Sequence, residues 1–204
     1  MPLHAIRTSY DARAAEYADR FASIAAAPPA DVAEIRAWAA CCSGAIVDAG
    51  CGPGHWTDDL RRRGSEISGF DLSPASIAIA RERFPRTRYR VAELARSGLP
   101  TASAGGILSW FSIIHTPPQE LDAVLAEFAR CAAPGGRLLL GAFSWPTLEA
   151  FPHAVVTAYR WPPHALAQRL EGAGFEVLRV RERTPEHARP QCTLEARRTD
   201  APLR

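Results

Sequence analysis

Three glycines at alternate positions are the residues best suited to bind a ligand. Gly50, Gly52 and Gly54 follow a short apolar run, residues 45–49, whose fourth residue is the acid Asp48. Residues without a side chain let the backbone turn tightly and approach a ligand closely. A helix predicted just downstream would present unpaired backbone N–H groups to that ligand. The segment therefore predicts a binding loop at the carboxyl end of a strand, where open α/β sheets bind nucleotide-like molecules.

A second acid, Asp71, closes the next predicted strand about twenty residues further on, where a carboxylate can accept both hydroxyls of a ribose. Dinucleotide enzymes also use such an acid, but their loop follows the pattern G-x-G-x-x-G. Here the third glycine comes one residue early, and His55 occupies the later position. Asp48 would also repel a pyrophosphate. The pattern favours an adenosyl ligand without phosphates that is cationic or zwitterionic, and the alternative is a bare strand-to-helix turn.

Alternating strands and helices are predicted to position these two acids. The predicted strands are 45–49, 66–70, 88–92, 106–111 and 137–143, followed by a final antiparallel pair at 175–181 and 191–196. Such alternation is typical of a parallel sheet that is covered by helices on both faces. The continuous apolar runs of the first and fifth strands suit central positions in that sheet. Residues 144–163 look irregular, with one short strand at 154–159.

Composition and charge narrow the class of protein. The 204 residues are 47% hydrophobic and carry a net charge of +2. The arginine clusters at 61–63 and 197–198 are more typical of a helix end and a tail than of a nucleic-acid patch. Five cysteines without a C-x-x-C pair suggest reduced thiols in the cytoplasm. The charged N-terminal segment does not resemble a signal peptide, and no apolar stretch is long enough to span a bilayer.

Three motifs, in order, carry a family resemblance. They are DAGCGPG at 48–54, GFDLS at 69–73 and CAAPGG at 131–136. Together they resemble the class I S-adenosylmethionine-dependent methyltransferases of the small-molecule type, over about residues 45–143. The resemblance implies a Rossmann-like, doubly wound sheet of seven strands, mostly parallel with an antiparallel last strand and with helices on both faces. It also implies that S-adenosylmethionine binds over the carboxyl ends of strands one to four, with S-adenosylhomocysteine as the product.

The resemblance divides one methyltransferase domain, residues 1–204, into three parts. Residues 1–43 would be an N-terminal helical cap and residues 44–143 the cofactor-binding core. Residues 144–204 would hold an acceptor-side insert and the C-terminal strands. The cap and the insert are predicted to form the acceptor pocket, and the aromatic and imidazole side chains available in or beside the insert are Trp145, Phe151, His153, Tyr159, Trp161 and His164.

Donor contacts are carried over only onto residues that match the family motifs. The glycine loop should pass under the methionine part, Asp71 should hold the ribose hydroxyls, and Leu72 should pack on the adenine. Glu93 stands where the family usually has Asp and would accept from the adenine amino group, unless it is a solvated loop acid. Tyr10 and Tyr17 resemble a lid over the cofactor, or else pack a helix. The cofactor-binding set is thus Tyr10, Tyr17, Asp48, Gly50, Gly52, Gly54, Asp71, Leu72, Glu93, Leu94, Trp110 and Phe111.

The loop after the fourth strand should face the transferable methyl group. Trp110 and Phe111 could stabilise a sulfonium through their ring faces, although Trp110 is equally consistent with ordinary core. His115 would lie beside the acceptor, and its ordinary pKa of about 6.5 lets it take a proton at neutral pH. The alternative is that His115 orders the loop or lines the pocket. No metal is expected, since the sulfonium leaves without protonation.

The resulting hypothesis is methyl transfer to a small organic acceptor, at O or N, by in-line displacement, with His115 as the catalytic residue. The expected protein is a cytoplasmic monomer or homodimer without nucleic-acid or membrane partners. Two alternatives remain: a non-catalytic protein that binds S-adenosylmethionine for regulation and, less favoured by the early third glycine, an NAD(P)-dependent oxidoreductase.

Overall fold

The computed structural model describes residues 3–20, 24–186 and 188–199, and one nine-stranded sheet runs through them. The helices are α1 (Leu3–Arg20), α2 (Pro29–Ala39), α3 (His55–Arg62), α4 (Pro74–Arg83), α5 (Leu121–Cys131) and α6 (Pro163–Gly172), with a short 3-10 helix at Ile24–Ala26. The strands are β1 (Ile46–Ala49), β2 (Ile67–Asp71), β3 (Arg88–Val91), β4 (Ala104–Trp110), β5 (Ala132–Ser144), β6 (Glu149–Phe151), β7 (Ala158–Trp161), β8 (Phe175–Arg183) and β9 (Gln191–Arg198).

The sheet follows the order β3-β2-β1-β4-β5-β9-β8. The first five strands are mutually parallel, whereas β9 runs antiparallel to both β5 and β8. The predicted mostly parallel sheet with an antiparallel last strand is therefore confirmed, although the described sheet has nine strands and not seven. The chain leaves β1 toward β2 on one side, while β4 pairs on the other, so the switch in strand order lies between β1 and β4. Ligands of open α/β sheets bind outside the carboxyl ends of strands at such a switch.

Two further strands, β6 and β7, were not predicted at these positions. β7 pairs with Phe143 and Ser144 at the end of β5, and β6 pairs with β7 in an antiparallel hairpin. The short strand was predicted at 154–159, whereas in the structure it occupies Ala158–Trp161. The position of β7 depends on its pairing with the end of β5, and no local pattern in the insert indicates that pairing.

Neighbouring residues of the central strands pack on opposite faces of the sheet. Ile107 and Leu138 pack with side chains of α5 and α6, whereas Leu108 and Leu139 pack with side chains of α2 and α3. All four are at most 2% exposed. Burying a side chain of this size contributes about 1.5–3 kcal/mol. The apolar runs of the central strands are thus explained by burial on both faces, and the predicted cover of helices on both sides is confirmed.

Helix α1 is anchored to the N-terminus of α4 through Asp11. Its carboxylate accepts from the hydroxyl of Ser73 at 2.6 Å and from the N–H of Ala75 at 3.2 Å. At the other end of α1, Arg83 donates to the Asp19 carboxylate at 2.9 Å. These contacts hold α1 beside the carboxyl edge of the sheet. None of the helices in the described ranges is long and apolar enough to cross a membrane.

Candidate active site

A cavity of about 530 Å³ lies at the carboxyl ends of β1, β2 and β4. It is lined by the loops that follow these strands and β3, by α1, and by the approach to and first turn of α5. Among the predicted site residues, those that line it are Tyr10, Tyr17, Gly50, Gly52, Asp71, Leu72, Glu93, Leu94, Trp110, Phe111 and His115. The structure therefore brings together residues that are distant in sequence, and it leaves out only Asp48 and Gly54 of the predicted set.

The glycine loop needs its glycines for two different reasons. Gly50 has φ +82°, and a Cβ there would lie 2.3 Å from the Cβ of Ser112 in the loop after β4. Gly52 has φ +52°, but a Cβ there would meet no atom within 4 Å. Gly50 thus permits two loops to approach each other, whereas Gly52 leaves open space in the cavity wall. That open space is where a ligand can approach the backbone.

Asp71 is fixed in the cavity by backbone donors. Its Oδ2 accepts from the N–H of Gly52 at 2.9 Å, and its Oδ1 accepts from the N–H of Ser73 at 2.8 Å. Burial raises the pKa of Asp71, although these two N–H groups act in the opposite direction. A carboxylate offers about four lone-pair sites, so each oxygen retains capacity for a ligand hydroxyl.

Asp48 and Gly54 support the loop away from the cavity wall. Asp48 is 2% exposed and accepts from the hydroxyl of Thr57 in α3 at 2.6 Å. Burial raises the pKa of Asp48 to about 7. Gly54 has φ +86°, and a Cβ there would lie 2.6 Å from the hydroxyl oxygen of Tyr89. Both residues therefore shape the turn into α3 rather than line the cavity.

Trp110 and Phe111 end β4 at the cavity. The Trp110 ring lies 6.3 Å from the Trp56 ring, and a Cβ on Gly141 would come within 3.0 Å of it. Trp110 therefore serves both as packing against the sheet and as cavity wall. Phe111 has φ +55°, a left-handed conformation that costs about 1–3 kcal/mol in a residue with a side chain. The backbone turns there into the loop that carries His115.

His115 is held in one orientation by the segment before β7. Its Nδ1 lies 2.8 Å from the carbonyl oxygen of Thr157. Because a carbonyl can only accept, Nδ1 must carry the proton. Nε2 is buried and has no hydrogen-bond partner among the described residues. Burial lowers the pKa of His115, so the ring is neutral near pH 7 with a lone pair on Nε2.

The two predicted lid tyrosines cover the cavity from α1. The rings of Tyr10 and Tyr17 lie 6.2 Å apart in an edge-on arrangement, and the Tyr10 ring also lies 5.5 Å from the imidazole of His115. Burial raises the pKa of Tyr10, which keeps its hydroxyl protonated and able to donate a hydrogen bond. The cap is thus in contact with the loop after β4.

The insert does not line the cavity as predicted. None of its predicted aromatic and imidazole side chains lies in the cavity wall. Trp161 is buried in the core, and the His153 ring packs against Phe143 and Phe151 at 5.8 and 6.3 Å. Trp161 and His153 therefore pack on β5 and within the hairpin of β6 and β7, whereas Trp145 and His164 are exposed. The hairpin contacts the site through the Thr157 carbonyl, among other bonds, and through the 5.2 Å contact between the rings of His153 and His115.

Residues 46–136 match a family model described as a methyltransferase domain. Over these residues the chain carries a methyltransferase domain and is similar to the class I S-adenosylmethionine-dependent methyltransferases. It is 30% identical over 104 residues to the malonyl-[acyl-carrier protein] O-methyltransferase of Serratia marcescens, covering 51% of this chain and 40% of that protein. It is 33% identical over 136 residues to the demethylmenaquinone methyltransferase of Tropheryma whipplei, covering 65% and 56%. The chain thus spans about half the length of these curated relatives.

The methyltransferase fold is also found over nearly the whole chain in a solved structure. The 1,6-didemethyltoxoflavin-N1-methyltransferase of Burkholderia thailandensis, solved with 1,6-didemethyltoxoflavin and S-adenosylhomocysteine bound, superposes with a TM-score of 0.76. The sequence identity is 20%, and the alignment covers 97% of this chain and 88% of that one. This likeness confirms the fold beyond residues 46–136.

Two cavity residues at the start of α1 were not predicted. The sequence analysis named Tyr10 and Tyr17 of the cap, but α1 begins at Leu3, and both Leu3 and Ile6 line the cavity. Leu3, Ile6, Tyr10 and Tyr17 are spaced as one face of a helix, so helical periodicity could have found them. The contribution of the start of α5 to the cavity wall was not predicted either. No local pattern distinguishes that turn from an ordinary surface helix.

Proposed function

We propose that this methyltransferase transfers a methyl group from S-adenosylmethionine to a small organic acceptor, at oxygen or nitrogen, with His115 as the general base. The observation that carries the proposal is that Asp71, held by the glycine loop, lines the same cavity as His115, whose buried Nε2 has no hydrogen-bond partner among the described residues. One group suits a ribose and the other suits the removal of a proton. Trp110 and Phe111 line the same cavity.

The residues present fit S-adenosylmethionine. The open space beside Gly52 accommodates close approach of a ligand to the backbone, and Asp71 offers free lone pairs to ribose hydroxyls. Leu72 supplies an apolar surface for the adenine, and Glu93 an acceptor for its amino group. When bound, the donor supplies an electrophilic methyl carbon on a sulfonium that leaves as a neutral thioether.

The remaining roles fall to the protein's own side chains. The ring faces of Trp110 and Phe111 are attractive to a positive charge, and interactions of this kind contribute about 0.5–2 kcal/mol. Tyr10 and Tyr17 enclose the cavity and exclude water. His115 accepts the acceptor's proton on Nε2 while Thr157 holds the ring through Nδ1–H. Alignment of donor and acceptor supplies most of the remaining rate acceleration.

The acceptor is enclosed by α1 and the start of α5. Leu3 and Ile6 on α1, and Pro117 and Val124 near the start of α5, contribute apolar walls. A cavity of about 530 Å³ that must hold both donor and acceptor favours a small molecule. We infer that one domain performs the whole reaction in the cytoplasm, as a monomer or homodimer, without a nucleic-acid or membrane partner. The named relatives support methyl transfer, but their acceptors differ from one another.

Binding of S-adenosylhomocysteine tests the proposal directly. A ligand at a hundred times its dissociation constant stabilises the folded state by about 2.7 kcal/mol. In a chain of this size that raises the melting temperature by about 5–10 °C. NADH serves as the control and should leave melting unchanged. A shift with NADH and none with S-adenosylhomocysteine would refute the donor assignment. Donor binding without transfer to any member of a broad acceptor panel would favour the regulatory alternative.

A further inference from the structure

We propose that the acceptor is an uncharged molecule that loses a proton from the hydroxyl oxygen or ring nitrogen that becomes methylated, and that carboxylate acceptors are disfavoured. The inference rests on the proposed methyl transfer and deepens it by naming the class of acceptor. It is carried by the hydrogen-bonding direction of His115 and by the charges of the cavity wall.

Contacts with the segment before β7 fix the orientation of the His115 ring. Two hydrogen bonds join the loop after β4 to the segment that enters β7. The Nδ1–H of His115 donates to the carbonyl oxygen of Thr157 at 2.8 Å, and the N–H of Tyr159 donates to the carbonyl oxygen of Ile114 at 2.7 Å. Turning the ring over would break the first bond, and a hydrogen bond of this kind contributes about 0.5–1.5 kcal/mol. Nε2 of the neutral ring is therefore an acceptor only.

Because Nε2 can only accept a hydrogen bond, it favours substrates that can donate one. A hydroxyl or a ring N–H donates to the lone pair of Nε2, whereas a carboxylate has no proton to donate and meets that lone pair with a negative charge. Burial lowers the pKa of His115, which disfavours the imidazolium that a carboxylate would need as a partner. The site discriminates between the two chemistries because a mismatched buried polar group stays unpaired.

The charges of the cavity wall act in the same direction. Among the described residues that line the cavity, the carboxylates are Asp71, Glu93 and Glu120, and the only cationic side chain is Arg96. Arg96 is already committed to Glu93, at an N–O distance of 2.9 Å, and its side chain is 79% exposed. An anionic acceptor would therefore find no uncommitted cationic side chain among the described lining residues, and the positive charge beside it would be that of the donor alone.

For this class of acceptor the methyl transfer gives His115 a proton to remove. A lone pair on the acceptor oxygen or nitrogen forms the bond to the methyl carbon while the carbon–sulfur pair moves onto sulfur. The electron pair of the O–H or N–H bond stays on the acceptor, and its proton passes to Nε2 of His115. The imidazolium then releases that proton to water. A carboxylate would need no such proton acceptor, and His115 would have no role.

Nitrogen NMR of histidine tests the hydrogen-bonding direction without any turnover. The full chain is labelled with ¹⁵N-histidine, saturated with S-adenosylhomocysteine, and compared with His115→Gln to assign the signals of His115. We expect a neutral ring protonated at Nδ1 near neutral pH. A ring protonated at Nε2, or at both nitrogens, would overturn the inference, because Nε2 would then donate and would suit a carboxylate.

A matched pair of probes tests the acceptor class. 2-Naphthol and 2-naphthoic acid share a ring system and differ in the group that would be methylated. Binding of each to the complex with S-adenosylhomocysteine is measured by calorimetry, and transfer is measured with labelled donor. We expect tighter binding and faster transfer for the naphthol, and a loss of about a hundredfold in its transfer rate in His115→Gln. Preference for the naphthoate, or transfer to it that does not depend on His115, would overturn the inference.

The two proposals fail in different ways. Absence of stabilisation by S-adenosylhomocysteine refutes the proposed function itself. Stabilisation by that ligand, combined with a preference for the carboxylate probe, refutes only the acceptor class.

Discussion

The backbone N–H of Gly52 donates to the Asp71 carboxylate at 2.9 Å, so one hydrogen bond joins the loop after β1 to the end of β2. Asp71 is therefore oriented before any ligand binds. Preorganisation of this kind lowers the ordering cost of binding. The hydrogen bond also couples the glycine loop to Asp71, so a change to Gly52 or to Asp71 should disturb the position of the other residue.

Asp71→Ala is expected to weaken binding of S-adenosylhomocysteine by about ten- to a hundredfold, because hydrogen bonds to a charged group contribute about 1.5–3 kcal/mol. Calorimetric titration measures the effect. Asp122→Ala is the control, since Asp122 pairs with Arg169 on the surface and does not line the cavity. Unchanged affinity in Asp71→Ala would contradict the assignment of the ribose site.

His115→Ala is expected to lower turnover by about a hundredfold or more and to leave donor affinity intact. Burial lowers the pKa of His115, so the acidic limb of the wild-type rate profile should lie below the ordinary value of about 6.5. The base is active above that limb and is lost as the pH falls through it. His164→Ala, at an exposed position on α6, is the control. Normal turnover in His115→Ala would remove His115 from the mechanism.

Gly50→Ala is expected to destabilise the fold by about 3 kcal/mol, since it combines a left-handed backbone with a clash against Ser112. The melting temperature should fall by about 6–12 °C. Gly172→Ala is the matched control, because a Cβ at that helical position meets no atom within 4 Å. Equal melting temperatures for the two variants would show that the two loops tolerate separation.

Asp48→Asn is expected to change the pH dependence of stability. Burial raises the pKa of Asp48 to about 7, above its unfolded value of about 4, so the folded state binds more protons in that window. Stability from this group is present at low pH and is lost as the pH rises from about 4 to about 7. Urea unfolding should show Asp48→Asn gaining stability relative to the wild type between about pH 5 and pH 8. A constant difference across that range would contradict the raised pKa.

Arg13→Ala is expected to loosen the attachment of α1, the helix that carries the lid residues Tyr10 and Tyr17. Arg13 donates to the carbonyl oxygen of Ala154, which ties α1 to the segment that holds His115. Loss of one such bond should weaken binding of S-adenosylhomocysteine about fivefold and speed amide exchange in α1. Arg7→Ala, on the same helix, is the control. Equal effects of the two variants would indicate that charge, not this contact, matters.

The sequence predicts those parts of the fold and of the site that are determined by neighbouring residues, and not those that are determined by contacts between distant segments. The central strands β1 and β5 were predicted because both contain continuous apolar runs, which reflect their burial on both faces. Asp71 and the glycine loop were predicted because turn geometry requires glycine at positive φ. The direction of the His115 ring was not predictable, since it depends on Thr157, which is 42 residues away in sequence. The displacement of the insert from the cavity wall likewise follows from pairing between β7 and the end of β5.

The position of β9 has a consequence for biosynthesis. β9 is inserted between β5 and β8, although the ribosome makes it after both. In the described sheet β8 pairs only with β9, so both edges of β8 stay unpaired until β9 has inserted beside β5. Unpaired strand edges are prone to aggregate. A chain truncated just before residue 191 should therefore be the form that binds chaperones most strongly after its release from the ribosome.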